Sequence, residues 1–247
     1  MFQTLKRWLS RRTERPAWSA VADWAESAGH SFKRTREGGG FVIEPAAASQ
    51  GWRLEWGPSQ RGYIEGNELR LRGDLKGGEE LQMLVISRRL MEALEKQVFE
   101  QFTEGLQTRM DAETPEEMRW LVLFPAQPAY ASKALQEGFG AVGSSLAAVE
   151  QWLSGPLSAR LVEARRQWLA EDDPFVLIAL RGRLTLRARM AEPDAELVRA
   201  LVQLFDTALR EGRRAAASWT AADEASTPPG DWTGAPLDSR LDGSPTR

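Results

Sequence analysis

Two separate stretches of the sequence alternate leucine with arginine, and this alternation constrains the fold more than any other pattern in the chain. In Leu69–Leu75, and again over residues 180–190, apolar side chains occupy every second position. Because successive side chains of a β-strand point to opposite faces, both stretches are predicted to be strands with one apolar and one arginine-bearing face. A sheet built from such strands must bury its apolar face beneath another layer.

Amphipathic helices elsewhere in the chain can supply that layer. Apolar side chains recur about every four positions over residues 89–108, and residues 193–211 lie between an opening Pro193 and a stop signal, Gly212. Shorter helices are predicted over 17–29 and 157–170, and residues 129–153 are helical in composition. Helices and strands come in blocks, so the predicted fold class is α+β. We expect a single domain with an antiparallel or mixed sheet of about five to seven strands and helices packed on one face.

The region from residue 114 to residue 143 contains two local motifs. Thr114-Pro-Glu-Glu117 is a capping-box pattern and predicts one helical turn, after which residues 120–124 are predicted to form a buried strand. Gly138-Phe-Gly-Ala-Val-Gly143 matches the GxGxxG pattern of dinucleotide-binding loops. That pattern requires a strand before its first glycine, whereas residues 130–137 are predicted to be helical. The glycines are therefore predicted to weaken or kink a helix, or to let another element pack closely.

The stretch Leu69–Leu75 resembles Leu184–Met190, which raises the question of an internal repeat. A glycine precedes each stretch and a long helix follows it. Two similar strand–strand–helix units would explain this similarity. The alternation that all amphipathic strands share explains it as well, so both interpretations stay open.

The two ends of the chain carry opposite charge. Residues 1–36 contain eight basic and three acidic residues, a net charge of +5, whereas residues 215–247 contain two basic and five acidic residues, a net charge of −3. The chain is accordingly divided into a basic amphipathic N-terminal extension (1–16), an α+β globular domain (17–213) and an acidic tail (214–247) predicted to be disordered. The net charge of the whole chain, −3, argues against specific nucleic-acid binding by a globally basic protein.

The residue types that are missing exclude several kinds of active site. The chain has no cysteine and one histidine, His30, so thiol nucleophiles, iron–sulfur clusters and thiolate zinc sites are excluded. His30 follows a helix stop and is predicted to be a surface residue in a loop. There is no GxSxG motif and no EF-hand spacing, so no catalytic residue, metal or cofactor is predicted. The absence of cysteine, a secretory signal and an apolar run of about 20 residues predicts a cytoplasmic protein.

Two surfaces are candidates for binding. The first is the arginine-bearing face of the strands, predicted to bind an anion through Arg70, Arg72, Arg181, Arg183, Arg187 and Arg189. The alternative is that these arginines pair across strands with Glu55, Glu65 and Glu68. The second is the N-terminal extension, which could bind an anionic membrane surface through Phe2, Leu5, Lys6, Arg7, Trp8, Arg11 and Arg12. The alternative is that this short helix packs on the domain or frays.

These observations leave three functional hypotheses. The first is a non-enzymatic cytoplasmic interaction or scaffold protein that binds another protein through its sheet face or its tail. The second is a peripheral protein that binds an anionic ligand or a membrane surface. The third is a carboxylate-dependent enzyme, which would need acids distant in sequence to meet in one pocket. The first is preferred because every catalytic motif is missing or lies in the wrong context.

Overall fold

The computed structural model describes residues 18–35, 39–46, 51–103, 115–124 and 132–219, with side chains for all of these except 101–103. The strands in this part of the chain are β1 (His30–Arg34), β2 (Phe41–Pro45), β3 (Trp52–Pro58), β4 (Asn67–Asp74), β5 (Met83–Ser87), β6 (Phe139–Gly143), β7 (Phe175–Leu180) and β8 (Arg183–Arg189). The helices are α1 (Ser19–Ser27), α2 (Arg88–Thr103), α3 (Glu116–Leu123), α4 (Lys133–Gly138), α5 (Leu146–Leu153), α6 (Pro156–Gln167) and α7 (Ala195–Ser218).

All eight strands form one antiparallel sheet in the order β1-β2-β3-β4-β8-β7-β5-β6. The prediction of a single α+β domain is confirmed, and the number of strands is slightly larger than the predicted five to seven. The additional strands are the two edges, β1 and β6. The large apolar side chain of β1 is Phe32 alone, and two of the five residues of β6 are glycines, so neither strand shows a clear alternation of polar and apolar residues.

The main core lies on one face of the sheet. One continuous row of apolar side chains crosses the whole sheet from β1 to β6, and its members are Phe32, Ile43, Leu54, Leu71, Leu186, Leu177, Val85 and Ala141. Helices α1, α5, α6 and α7 contribute buried residues to the same cluster. Burial of this apolar face is the largest favourable contribution to folding that the sequence pattern predicts.

A second, smaller core lies on the opposite face. There, α2 and α3 cover β5, β6 and β7 with Met91, Leu94, Met118 and Trp120. The prediction that the helices pack on one face therefore holds for α1 and α5–α7. It does not hold for α2 and α3, which lie on the opposite face. The reason is visible in β5 and β7, which are apolar on both faces and need cover on each side.

Residues 120–124 were expected to form a strand, and this prediction was wrong. They belong largely to α3, which begins at Glu116 and buries Met118 and Trp120 while leaving Leu123 exposed. A short apolar run does not distinguish a strand from a helix when its neighbours are unknown.

The GxGxxG glycines do not kink a helix, because Gly138 ends α4 and the next five residues form β6. The other predicted role of these glycines, to let another element pack closely, applies to Gly140. A Cβ atom on Gly140 would overlap Sδ of Met91 on α2. The glycines thus allow helix–sheet packing, and the element order around them is not that of a dinucleotide-binding fold.

The last helix continues past its predicted end. Gly212 does not end α7, which continues to Ser218. The glycine allows close packing instead, because a Cβ atom there would lie 2.9 Å from Leu75 Cδ2 and 3.4 Å from Trp152 Nε1. Ala215 is fully buried, and Trp219 packs against the core just after the helix ends. The helix therefore includes the first residues of the predicted tail. Residues 220–247 and the predicted extension 1–16 lie outside the described residues.

The two similar stretches lie side by side in the sheet. Strand β4 pairs with β8 so that Leu69 faces Ala188 and Leu71 faces Leu186, and each is the second strand of a hairpin. Helix α7 follows β8 directly, whereas β5 intervenes between β4 and α2. The duplication stays a hypothesis, because the order of elements after the two strands differs.

Candidate anion-binding face

The arginine-bearing sides of β3, β4 and β8 are adjacent in the sheet. They lie on the face opposite the main core, beside the part that α2 and α3 cover. We call this surface the arginine face and define it by Arg53, Arg70, Arg72, Arg183 and Arg187. In the strand register, Arg53 lies opposite Arg72, and Arg70 lies opposite Arg187. The alternation of leucine and arginine thus gathers five guanidinium groups on three neighbouring strands.

Three of these arginines pair with carboxylates within the protein, and two of the three share the buried Glu68. The Glu68 side chain is 2% exposed and accepts hydrogen bonds from Arg70 Nη1 at 2.8 Å and from Arg187 Nη1 at 2.7 Å. Arg70 also donates to Glu55 through Nε at 3.1 Å and through Nη2. For Arg70 and Arg187, the cross-strand pairing alternative is therefore what the structure shows.

The pairing continues from Arg70 towards the edge of the sheet. Glu55 accepts a hydrogen bond from Arg53 at 2.7 Å, and Arg53 also donates to Glu44 at 2.6 Å. Burial raises the pKa of Glu55, but hydrogen bonds from Arg53 and Arg70 outweigh it and hold the pKa below its usual value. Glu65, the third predicted partner, forms no ion pair with any described residue.

Arg72 and Arg183 are the arginines of this face that form no ion pair with a carboxylate of the described residues, although Asp74 lies directly opposite Arg183 in the strand register. Arg72 is half-buried, faces Arg53 directly, and is acted on by the positive charges of Arg70, Arg187 and Arg183 and by the negative charge of Glu55. Burial, and next the charge of Arg70, lower the pKa of the Arg72 guanidinium. Like charges directly opposite on neighbouring strands destabilise a sheet. An anion bound between Arg72 and Arg183 would compensate this repulsion.

The other two predicted residues lie away from this centre. Arg181 and Gly182 form the two-residue turn between β7 and β8, with φ of 50° and 70°; positive φ at both positions is typical of a type I′ hairpin turn. The turn interrupts the strand alternation, so Arg181 is not part of the arginine face. Arg189 is exposed at the far end of β8, opposite Glu68 in the register.

A polar cluster that the sequence did not reveal lies beside the arginine face. Glu117 on α3 is buried and accepts hydrogen bonds from Arg61 Nε at 2.6 Å and from the Tyr63 hydroxyl. Burial, and then the charge of Glu117, raise the pKa of Tyr63 strongly. Glu117 was predicted only as a helix-capping residue. Its actual contacts tie the loop between β3 and β4 to α3.

The hypothesis of a carboxylate-dependent enzyme concerns the buried acids of the described residues. Their buried acids are Glu68, Glu117 and Glu211, and Glu211 lies on α7 against the other face of the sheet. Each of the three already pairs with an arginine. No group of three histidine, aspartate or glutamate side chains in this part of the chain could hold a metal ion.

His30 was predicted to be a loop residue, and this prediction was wrong. It is the first residue of β1, and its ring lies edge-on to Trp24 at 5.6 Å and to Trp52 at 5.1 Å between centroids. Its Nδ1 atom is buried and has no hydrogen-bond partner among the described residues. Burial lowers the pKa of the imidazole below its ordinary value of 6.5.

Acidification from about pH 7.5 to about pH 5.5 is expected to lower the urea midpoint of unfolding through His30. The unfolded chain binds the proton more readily than the folded one, because the folded pKa is depressed. Stability is therefore full above the unfolded pKa and is lost as the pH falls towards the folded pKa. Since the chain has one histidine, His30→Phe should remove this dependence. An equal pH effect in the variant would contradict the assignment.

The residues proposed for membrane binding, from Phe2 to Arg12, lie outside the described residues. Among the helices that the structure does describe, none combines the length and the apolar character needed to cross a bilayer. The membrane-surface hypothesis therefore stays a prediction from the sequence.

Comparison with known proteins gave one distant structural similarity. No protein-family model matches the chain. No curated protein matches it either. The crystal structure of the mycobacterial trehalose monomycolate transport factor A, TtfA, superposes with a TM-score of 0.43 and 11% sequence identity, over 80% of this chain and 97% of that one.

Proposed function

We propose that this chain is a cytoplasmic, non-enzymatic interaction protein that binds an acidic segment of another protein on the arginine face. The observation that carries the proposal is the pair Arg72 and Arg183, which form no ion pair with a carboxylate among the described residues, although Asp74 lies opposite Arg183 in the register and the charge of Glu55 acts on Arg72. A bound carboxylate would accept hydrogen bonds from one or both guanidinium groups and reduce their mutual repulsion.

The charges around this pair favour an acidic protein segment over a nucleic acid. Glu44, Glu55 and Glu68 lie among the arginines and reduce the net positive charge of the face. A nucleic acid carries a phosphate at every nucleotide and needs a larger excess of positive charge to release its counterions. An acidic peptide can place single carboxylates beside Arg72 and Arg183 and leave the existing ion pairs intact.

The proposal is tested by the affinity of the full chain for a fluorescent oligo-glutamate peptide, measured by anisotropy at low and high salt. The double variant Arg72→Glu/Arg183→Glu is expected to lose about tenfold or more in affinity, and salt should weaken binding to the original chain. Arg187 is left unchanged, because it is buried against Glu68.

The matched control is Arg160→Glu/Arg199→Glu, which changes the charge equally on exposed positions of α6 and α7. These helices cover the other face of the sheet, so the control should bind as the original chain does. If both double variants lost the same affinity for the peptide, the loss would be due to the changed net charge of the protein, and the proposal would be overturned. Binding to anionic vesicles that is unaffected by Arg72→Glu/Arg183→Glu would favour the membrane hypothesis instead.

A further inference from the structure

Helix α7 ends at the same end of the sheet as the unpaired arginines. Arg213 on α7 donates from Nε to the carbonyl oxygen of Asp74 at 2.9 Å, and Asp74 lies opposite Arg183 in the β4–β8 register. A Cβ atom on Gly78 would lie 2.9 Å from Cβ of Ala216, two residues before the helix ends. The chain therefore leaves the described structure close to the edge where Arg183 begins β8.

The same end of the sheet is closed by a contact between the β4–β5 connection and the β7–β8 turn. Leu75 donates its backbone N–H to the Gly182 carbonyl oxygen at 2.8 Å. A Cβ atom on Gly182 would lie 3.5 Å from Glu79 Cγ and 3.6 Å from the Gly77 carbonyl oxygen, so one acidic side chain, that of Glu79, also lies at this end. Helix α7 packs on the main-core face of the sheet. A segment that follows Trp219 therefore has to pass round this end of β4 and β8 to reach Arg183 and then Arg72 on the opposite face.

The segment beyond Trp219 is long enough and has the complementary charge. Residues 220–247 contain two arginines and five acids, namely Asp223, Glu224, Asp231, Asp238 and Asp242. Twelve residues from Trp219 to Asp231 span at most about 40 Å. The arginine face is about 10 Å wide from β8 to β3, since neighbouring strands lie about 4.8 Å apart.

We propose that the acidic segment 220–247 binds the arginine face in cis and competes there with an acidic segment of a partner. The carboxylates of residues 220–247 supply the anion that Arg72 and Arg183 lack among the described residues. A covalently attached ligand has an effective concentration of roughly millimolar order, so weak carboxylate–guanidinium contacts suffice for substantial occupancy. The competition rests on the proposed function, whereas the contact in cis stands on the geometry and the charges alone.

The contact is tested in the full chain with one fluorophore in the tail. Because the chain has no cysteine, Ser239→Cys gives a single labelling position whose anisotropy reports whether the tail is bound. Arg72→Glu/Arg183→Glu is expected to lower this anisotropy, and so is neutralisation of the five tail acids to Asn or Gln. The control Arg160→Glu/Arg199→Glu should leave it unchanged at every protein concentration.

Three results would overturn the contact in cis. The first is an anisotropy that neither variant changes. The second is a decrease produced only by Arg11→Glu/Arg12→Glu, which would place the tail on the basic N-terminal extension. The third is an effect that disappears on dilution, which would mean that the tail binds a second copy of the chain.

The competition is tested with the oligo-glutamate peptide. The chain with the neutralised tail is expected to bind the peptide about five- to tenfold more tightly than the original chain. Equal affinities together with an unresponsive label would overturn this inference and leave the proposed function standing. A responsive label with no peptide binding by either chain would overturn the proposed function and leave the contact in cis standing.

Discussion

Replacement of Glu68 by glutamine is expected to lower the free energy of unfolding by about 3–5 kcal/mol, which is typical when one partner of a buried ion pair is removed. The Glu68 carboxylate holds two guanidinium groups whose side chains are themselves only 11% and 7% exposed, those of Arg70 and Arg187. A neutral amide leaves Arg187 without a carboxylate partner, close to Arg70, which then pairs with Glu55 alone. Urea unfolding followed by circular dichroism measures the loss.

Glu44→Gln is the matched control for this prediction. Glu44 also pairs with an arginine, Arg53 at 2.6 Å, but its side chain is 37% exposed. Water screens such a pair, so the expected loss is at most about 1 kcal/mol. A second variant, Glu68→Gln/Arg187→Met, should recover part of the stability lost in Glu68→Gln, because it removes the charge that Glu68→Gln leaves without a carboxylate partner. Equal losses for Glu68→Gln and Glu44→Gln would contradict the buried network.

Gly143→Ala is expected to destabilise the protein by about 1–3 kcal/mol, as overpacking of a tight interior does. A Cβ atom at this position would lie 2.7 Å from the backbone oxygen of Gln82 and 2.6 Å from Val149 Cγ2. Gln82 directly precedes β5, and its carbonyl oxygen accepts a hydrogen bond from Ser144 N at 2.9 Å, so it cannot move away without disturbing the pairing of β5 with β6. The measurement is again the urea midpoint, with an unchanged slope.

Gly62→Ala provides the comparison for Gly143→Ala. A Cβ atom on Gly62 would meet no atom within 4 Å, so alanine is expected to be neutral or slightly stabilising there. The contrast also tests the interpretation of the GxGxxG sequence. Equal stability of Gly143→Ala and Gly62→Ala would contradict the inference that Gly143 is needed for close packing. The close approach of β5, β6 and α5 would then need another explanation.

The sequence could predict those elements whose pattern is long enough to repeat. Helix α7 shows its apolar stripe over more than five turns, and the arginine face follows directly from the alternation in β4 and β8. Helix α3 and strand β6 could not be predicted in this way, because eight residues cover only about two helical turns and two of the five residues of β6 are glycines. Their structure depends on neighbours that are distant in the chain.

The same limit applies to the charges of the candidate site. Glu68 and Arg187 are 119 residues apart, and nothing in either local sequence shows that they meet. The ion pair between Glu68 and Arg187 can be recognised only when β8 is known to lie beside β4. The same is true of the fact that Arg72 and Arg183 form no ion pair with a described residue. Alternation therefore predicts which face an arginine occupies, but only the strand order decides whether its charge is already satisfied.

The position of β8 in the sheet has a consequence for folding during synthesis of the chain. Strands β1–β4 form one consecutive group and β5–β7 another, and β8, the last strand made, joins them between β4 and β7. Until β8 leaves the ribosome, β4 and β7 both present unpaired backbone groups, β4 with one apolar face and β7 with two, and such edges are prone to aggregation. Completion of the sheet thus depends on the last third of the polypeptide, and a nascent chain released before β8 would be left with two open edges.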